Sequence, residues 1–166
     1  MTQPVSTVAI FCEDVREEKN GQNTIVGTLP DNLAIVGPPL VGAGLPHLPK
    51  FACYLRVNVN AQSKPKALSA KVIDAKGTTI AQTEWAQSLI DAAYESSKAN
   101  KMPLAGFIFK FSSGPFPIVG NGNVKAVVTV DGVEYVAGAV NIQVNPAATA
   151  SEQPASQSPA AAPASS

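Results

Sequence analysis

The chain has 166 residues, of which 45% are hydrophobic, and its 12 basic and 12 acidic side chains leave no net charge. This length is typical of one domain whose core needs neither a disulfide nor a structural metal. A neutral chain without a basic cluster is a poor match for nucleic acid, because clustered Lys and Arg supply most of that affinity. No run approaches the ~20 apolar residues of a membrane span.

The cysteines and the first residues predict the compartment. Cys12 and Cys53 both lie in apolar strand patterns, which favours buried, reduced thiols over a disulfide framework. Residues 1–4 contain no basic residue, and the apolar run at 8–12 is too short for a secretory signal. We therefore expect a cytoplasmic protein.

The N-terminal residues predict a hairpin followed by a short strand. Residues 5–12 are apolar and β-branched, and residues 22–28 follow a charged turn closed by Asn20 and Gly21. Two such runs joined by a turn signal are typical of a β-hairpin. A further short strand is expected over residues 32–36.

The clearest strand pattern covers residues 51–59, where large apolar residues occupy every second position. Period-two alternation places one face of a strand in a core and the other toward solvent. Residues 66–74 and 78–84 flank a turn at 75–77 and predict a second hairpin. Three phenylalanines alternate over residues 107–111 and predict another strand.

One helix is predicted among these strands. Apolar residues recur at helical spacing over residues 85–94, and Ser88 with Asp91 resembles a capping box. Pro103 lies just beyond the end of the pattern. The expected helix covers residues 89–99 and lies across one end of the sandwich.

The segment before the C-terminal tail predicts a hairpin with a defined register. Asp131 and Gly132 are the favoured pair for a two-residue turn, because both positions need positive φ. A regular ladder from this turn places Val124 beside Ala139. The apolar residues change face late in the second strand, which requires a bulge, and Gly138 is the expected bulge residue.

Residues 146–166 consist mainly of Ala, Pro and Ser, and Glu152 is their only charge. Such a segment buries too little apolar surface to offset its ordering entropy, which predicts a disordered tail. Residues 1–145 then form one domain. About eight short strands with one short helix predict a mainly β fold, an antiparallel β-sandwich of the immunoglobulin-like or C2-like kind.

Residues 10–18 run through an apolar strand, a cysteine, acidic residues and an arginine, and a glycine turn leads into the strand at 25–27. With the Pro-rich residues 46–49 and the segment 115–144, this order resembles an uncharacterised bacterial family of small β-sandwich proteins, a domain of unknown function. The resemblance covers most of residues 5–144. It implies a small β-sandwich and carries over no active site.

Polar motifs that could carry chemistry are sparse. His47 is the only histidine and has no Cys or carboxylate close by in sequence, so an ordinary loop residue is favoured over a catalytic or metal-binding one. The acidic cluster at residues 13–18 is interspersed with basic residues, which favours a solvated hairpin over a calcium site. We expect no cofactor and no metal.

The segment 36–49 is the strongest candidate for an interaction site. It is rich in Gly and Pro and strongly apolar, so it either packs over the end of the core or forms an exposed contact patch. Phe116, between two prolines, is a similar case: a core plug or a rigid aromatic anchor. The candidate interaction residues are Leu40, Val41, Leu45, His47, Leu48 and Phe116.

The expected function is that of a non-catalytic β-sandwich that binds an unknown protein partner or associates with itself. A structural accessory role in a phage particle or larger complex belongs to the same class. A small-ligand or calcium-dependent lipid-binding sandwich is the alternative. An enzyme is disfavoured, because a catalytic set would have to be assembled from distant loops.

Overall fold

The computed structural model describes residues 4–37 and 44–146. These residues form eleven β-strands and one α-helix, and the fold is mainly β, as predicted. The strands are β1 (Pro4–Glu17), β2 (Asn23–Thr28), β3 (Asn32–Gly37), β4 (His47–Leu48), β5 (Phe51–Asn60), β6 (Leu68–Ile73), β7 (Thr79–Glu84), β8 (Leu104–Ser113), β9 (Phe116–Pro117), β10 (Gly122–Val130) and β11 (Val133–Pro146). The helix is α1 (Gln87–Ala99).

The strands form a sandwich-like arrangement of two large sheets. The four-stranded sheet has the order β2-β1-β5-β8, the five-stranded sheet has the order β3-β11-β10-β6-β7, and β4 pairs with β9 in a small separate sheet. The expected number of about eight strands is too low, partly because β4 and β9 are only two residues long. The five-stranded sheet is mixed rather than purely antiparallel, because β3 enters it from the other sheet and runs parallel to β11.

The core lies between the two large sheets. The alternation predicted over residues 51–59 is confirmed: every odd-numbered residue of β5 from Phe51 to Val59 is fully buried. The even-numbered residues of β10 from Val124 to Val130 are also buried and belong to the same apolar cluster. Cys12 and Cys53 are buried free thiols, as predicted.

The last hairpin confirms the predicted turn and bulge. Asp131 and Gly132 have φ values of 50° and 85°, as this turn requires. Gly138 pairs with Ala126 and Val127 pairs with Val136, so Ala137 is the extra residue of the bulge, and the expectation that Gly138 is the bulge residue is wrong by one position.

The bulge has two consequences. Val124 pairs with Val140, so the alignment of Val124 with Ala139 expected for a regular ladder is wrong. At Gly138, a Cβ atom would lie 3.0 Å from the carbonyl oxygen of Ala9 on β1. Glycine therefore allows the two sheets to approach closely at this point.

Helix α1 connects β7, an edge strand of the five-stranded sheet, to β8, an edge strand of the four-stranded sheet. The helix confirms the prediction, but it begins at Gln87, so Ser88 lies inside its first turn and the expected capping box is wrong. Ala86 precedes the helix and makes no side-chain cap. Asp91 instead accepts hydrogen bonds from Lys64 and Gln87.

The predicted tail lies, except for Pro146, outside the described residues, and its disorder stays a prediction. Within residues 4–37 and 44–146, no helix has the length and apolar character needed to cross a bilayer.

Candidate functional site

One half of the predicted apolar loop covers the core. Leu40 and Val41 lie outside the described residues. Farther along, the carbonyl oxygen of Pro46 accepts a hydrogen bond of 2.8 Å from the N–H of Ile118. Pro46 is buried and Leu48 is half-buried against the core, so these two residues pack over the core.

Two of the predicted site residues in this part of the structure are exposed, and a third is buried in the core. His47 lies in β4 opposite Pro117 and is exposed. Phe116 is 4% exposed, and its ring stacks on Phe51 with a centroid distance of 4.3 Å. Phe116 is therefore the core plug, and the alternative of a rigid aromatic anchor for a partner is wrong because its ring is not accessible. Leu45 is 45% exposed and is accessible to a partner.

A second apolar surface lies on the outer face of the four-stranded sheet. Val8 on β1, Arg56 on β5 and Ile108 on β8 are direct cross-strand neighbours. Because the odd-numbered residues of β5 face the core, these three side chains project outward. Val8 is 50% exposed and Ile108 is 42% exposed.

The guanidinium group of Arg56 is directed to one side of this row. The Nε of Arg56 donates a hydrogen bond of 3.2 Å to Oδ1 of Asn58, one row away. The Nδ2 of Asn58 in turn donates a hydrogen bond of 2.9 Å to Oγ of Ser6. The guanidinium group is thus part of a polar row at the margin, and the aliphatic stem of Arg56 lies between the two apolar side chains.

The next row continues the apolar surface. Ile10, Tyr54 and Lys110 are cross-strand neighbours, and Ile10 and Tyr54 are half-buried. The ammonium group of Lys110 forms an ion pair with Glu17 at the tip of the first hairpin. Four side chains therefore form a continuous surface, which we call the outer-face patch. Its members are Val8, Ile10, Tyr54 and Ile108.

The first hairpin closes the patch on one side. Cys12 and Ala52 form the following row on the same face, yet both are fully buried. The ion pair between Glu17 and Lys110 shows that the hairpin tip bends toward β8 across this row. Burial raises the pKa of Cys12, and burial together with the nearby Cys12 raises the pKa of Cys53 to about 12. Both thiols are protonated at neutral pH and are poor nucleophiles.

The sequence contains a signal for this patch besides the period-two alternation of apolar residues. Residues 8–12 are apolar at both odd and even positions, which is typical of a strand that has contacts on both faces. Ile108 likewise interrupts the polar side of the strand that carries Phe107 and Phe109. These apolar residues stay exposed because the head groups of Arg56 and Lys110 bind to other residues. Those contacts depend on the fold and cannot be inferred from the sequence.

A groove lies between α1 and the loop that follows β5. Its volume is about 560 Å³. Lys64 and Asp91 form an ion pair of 2.8 Å at this groove, and hydrogen bonds from Lys64 and Gln87 lower the pKa of Asp91. The hydroxyl of Tyr94 lies 2.9 Å from the carbonyl oxygens of Asn60 and Ser63, and burial raises its pKa to about 12. Half of the ten residues that line the groove are charged, and hydrogen bonds hold Lys64, Asp91 and Tyr94 in place.

The carboxylates of the acidic cluster at residues 13–18 and of two turns make local contacts. A hydrogen bond from Arg16 lowers the pKa of Asp14, and a hydrogen bond from Lys110 lowers the pKa of Glu17. Asp74 and Asp131 accept backbone N–H groups at turns. Among the described residues, no group of three or more His, Cys, Asp or Glu side chains has a metal-binding arrangement.

Comparison with known proteins adds no relative. No protein-family model matches the chain, and no curated protein has a significantly similar sequence. The resemblance to a bacterial family of small β-sandwich proteins therefore stays a prediction.

Proposed function

We propose that the chain is a non-catalytic β-sandwich module that binds another protein through its outer-face patch. The observation that carries this proposal is the row of Val8, Arg56 and Ile108, in which two exposed apolar side chains flank an arginine whose head group is held aside. Contiguous exposed apolar surface rimmed by polar residues is typical of protein interaction sites.

The composition of the surface supports the same proposal. The patch has an apolar centre, and its margin contains Ser6, Asn58 and the guanidinium of Arg56. An apolar centre with a polar rim is the usual anatomy of a protein interface, and Tyr and Arg are enriched there. An exposed sheet face of this kind matches an apolar surface of a partner protein better than a small molecule, which needs a concave site.

The biological setting is part of the proposal. A structural accessory role in a larger complex is compatible with the same surface, because such a role also needs a contact patch and no chemistry. We propose the cytoplasm as the compartment, supported by two buried cysteines that form no disulfide with one another.

The proposal is tested by affinity capture from a lysate of the native host, with captured proteins identified by mass spectrometry. Val8→Asp places a charge in the patch, and Val136→Asp is the matched control, because Val136 is 63% exposed on the other large sheet. Leu45→Ser tests the loop in parallel. Circular dichroism of each variant establishes that the fold is retained.

We expect a partner that binds the wild type and the Val136→Asp variant but binds Val8→Asp at least tenfold more weakly, which corresponds to ~1.4 kcal/mol. Calorimetry with the purified partner measures this ratio. A partner that binds Val8→Asp as tightly as the wild type contradicts the proposal. If only the Leu45→Ser variant loses the partner, the binding site lies in the loop rather than in the patch.

A second candidate function is small-ligand binding in the groove beside α1. Its volume of about 560 Å³ lies in the usual range for ligand pockets. Lys98 and Lys101 line it together with Glu95, so a small anion or zwitterion fits its chemistry. A thermal-shift screen of such compounds against the wild type and Lys98→Ala tests this candidate: the expected ligand stabilises the wild type and has less effect on the variant.

A further inference from the structure

Strand β8 is an edge strand of unusual length in this fold. It forms ten consecutive pairs with β5 without a register shift, and no second strand pairs with it in the described part of the chain. Other edges of the large sheets are six residues long, in β2, β3 and β7, and the ladder of β7 also contains a register shift. Short or irregular edges resist pairing with other chains, whereas a long regular edge favours it.

The direction of the free backbone groups of β8 follows from two hydrogen bonds. The N–H of Ala61 donates to the carbonyl oxygen of Pro103 at 3.0 Å, so residue 103 belongs to a hydrogen-bonded pair with β5. Such pairs alternate along an antiparallel ladder. The carbonyl of Leu104 accordingly points away from β5, and it accepts a hydrogen bond of 3.1 Å from Oγ of Ser97 on α1.

The same alternation continues along the rest of the strand. The even-numbered residues from Gly106 to Ser112 therefore direct their N–H and C=O groups to the open edge, beyond the contact with Ser97. None of the hydrogen bonds found among the described residues reaches these four N–H groups. They are available to the backbone of an added strand.

The side chains of β8 give this edge little protection. Its only charged residue is Lys110, and the ion pair with Glu17 holds that ammonium group over its own sheet. Phe109 and Phe111 are only half-buried, so their rings still have apolar surface to cover. A charged side chain projecting past the edge is the usual protection, and β8 does not have one.

We propose that β8 pairs with β8 of a second copy, antiparallel and centred on Phe109, to form a continuous eight-stranded sheet. In this register Phe107 lies opposite Phe111 of the second copy, and the two Phe109 side chains lie opposite each other on the core side. Ile108 lies opposite Lys110 of the second copy, so no like charges face each other. The chain has no net charge, so two copies do not repel at long range.

This inference goes beyond the proposed function, because it uses the backbone edge of β8 rather than the outer-face patch. The second copy is favoured over an unrelated strand because the pattern of β8 is complementary to itself in this register. The pairing also joins the outer-face patches of two copies on one continuous sheet. A partner that binds the patch would then have two sites per dimer.

The test compares Lys110→Pro with Lys110→Ala by sedimentation velocity over a concentration series of the full chain. Both variants lose the ion pair with Glu17. Only proline removes an N–H from the open edge, and it removes none that bonds to β5, which is where proline is tolerated in strands. We expect the wild type and the alanine variant to dimerise alike, and proline to raise the dimer Kd at least tenfold.

A wild type that stays monomeric at every concentration overturns the inference, as does an equal Kd for the two variants. Hydrogen exchange of the wild type supplies a second readout that needs no variant. The N–H groups of Ile108 and Lys110 are expected to exchange more slowly as concentration rises, and exchange that is independent of concentration overturns the pairing. A monomer whose patch still binds its partner through Val8 leaves the proposed function intact.

Discussion

The two large sheets differ in how far charged side chains cover a valine on the outer face. On the five-stranded sheet, Nζ of Lys71 lies 2.6 Å from a carboxylate oxygen of Glu134. This ion pair spans β10 beside Val127, which is only 3% exposed. On the four-stranded sheet, Arg56 is directed toward Asn58, the ammonium group of Lys110 is paired with Glu17 at the hairpin tip, and Val8 stays 50% exposed.

This difference shows that composition alone does not decide whether a sheet face is open. Both faces contain a valine that pairs with a basic residue, Val127 with Lys71 and Val8 with Arg56. Where Lys71 finds its carboxylate across β10, Val127 is covered, although its cross-strand neighbour Val136 is 63% exposed. Where the carboxylate lies at a hairpin tip, as Glu17 does for Lys110, the apolar surface remains available for binding.

The largest effect is expected where the two sheets meet. Gly138→Val places a side chain 3.0 Å from the backbone oxygen of Ala9, next to Val8, and the backbone cannot move aside without shifting β1. Overpacking of this kind costs about 2 kcal/mol of unfolding free energy, measured by urea denaturation. Ala139→Val, at the adjacent exposed position, is the control and should cost less than about 0.5 kcal/mol. Equal costs would show that the sheets do not depend on this contact.

A smaller effect is expected from the difference between Val127, which is buried, and Val8, which is exposed. Val127→Ala removes two buried methyl groups and is expected to reduce the unfolding free energy by about 1.5 kcal/mol. Val8→Ala removes the same atoms from a side chain that is 50% exposed, and we expect less than about 0.5 kcal/mol. Thermal and urea unfolding of both variants measure the difference. The comparison of the two faces is wrong if both substitutions have the same cost.

The smallest effect concerns the ion pair that holds Lys110 to one side. The hydrogen bond from Lys110 lowers the pKa of Glu17 in the folded protein. A carboxylate with a lowered folded pKa contributes stability above its unfolded pKa, and that contribution is lost as pH falls through the folded pKa. The wild type should therefore have a slightly higher Tm than Glu17→Gln at neutral pH, and the two should converge in acid. A difference that persists after the carboxylate is protonated would rule out this ion pair as its cause.

The sequence predicts those parts of the fold that depend on neighbouring residues. The turn at Asp131 and Gly132 needs only their own backbone preferences, and the alternation of β5 needs only its own side chains. The bulge follows from a change of phase within one strand, although its extra residue is Ala137 rather than Gly138. Each of these predictions is confirmed because the signal and the structure lie in the same short segment.

The candidate site is less accessible to sequence reasoning. Phe116 has the same local pattern whether it is a plug or an anchor, and only its stacking on Phe51, far away in the chain, decides between the two. The patch around Val8 depends on a pair between Glu17 and Lys110 that are 93 residues apart. The helix begins two residues before its predicted start, and Asp91 accepts a hydrogen bond from Lys64 in a distant loop instead of capping its own helix.

The most direct test of the outer-face patch is site-specific photo-crosslinking in the native host. A photo-crosslinking amino acid is placed at position 8 in one strain and at position 136 in another, since both valines are well exposed but lie on different sheets. We predict a discrete cross-linked species with a second protein from position 8 and none from position 136. Cross-links to a partner from position 136 alone, or none from position 8, would contradict the assignment of the patch as the binding surface.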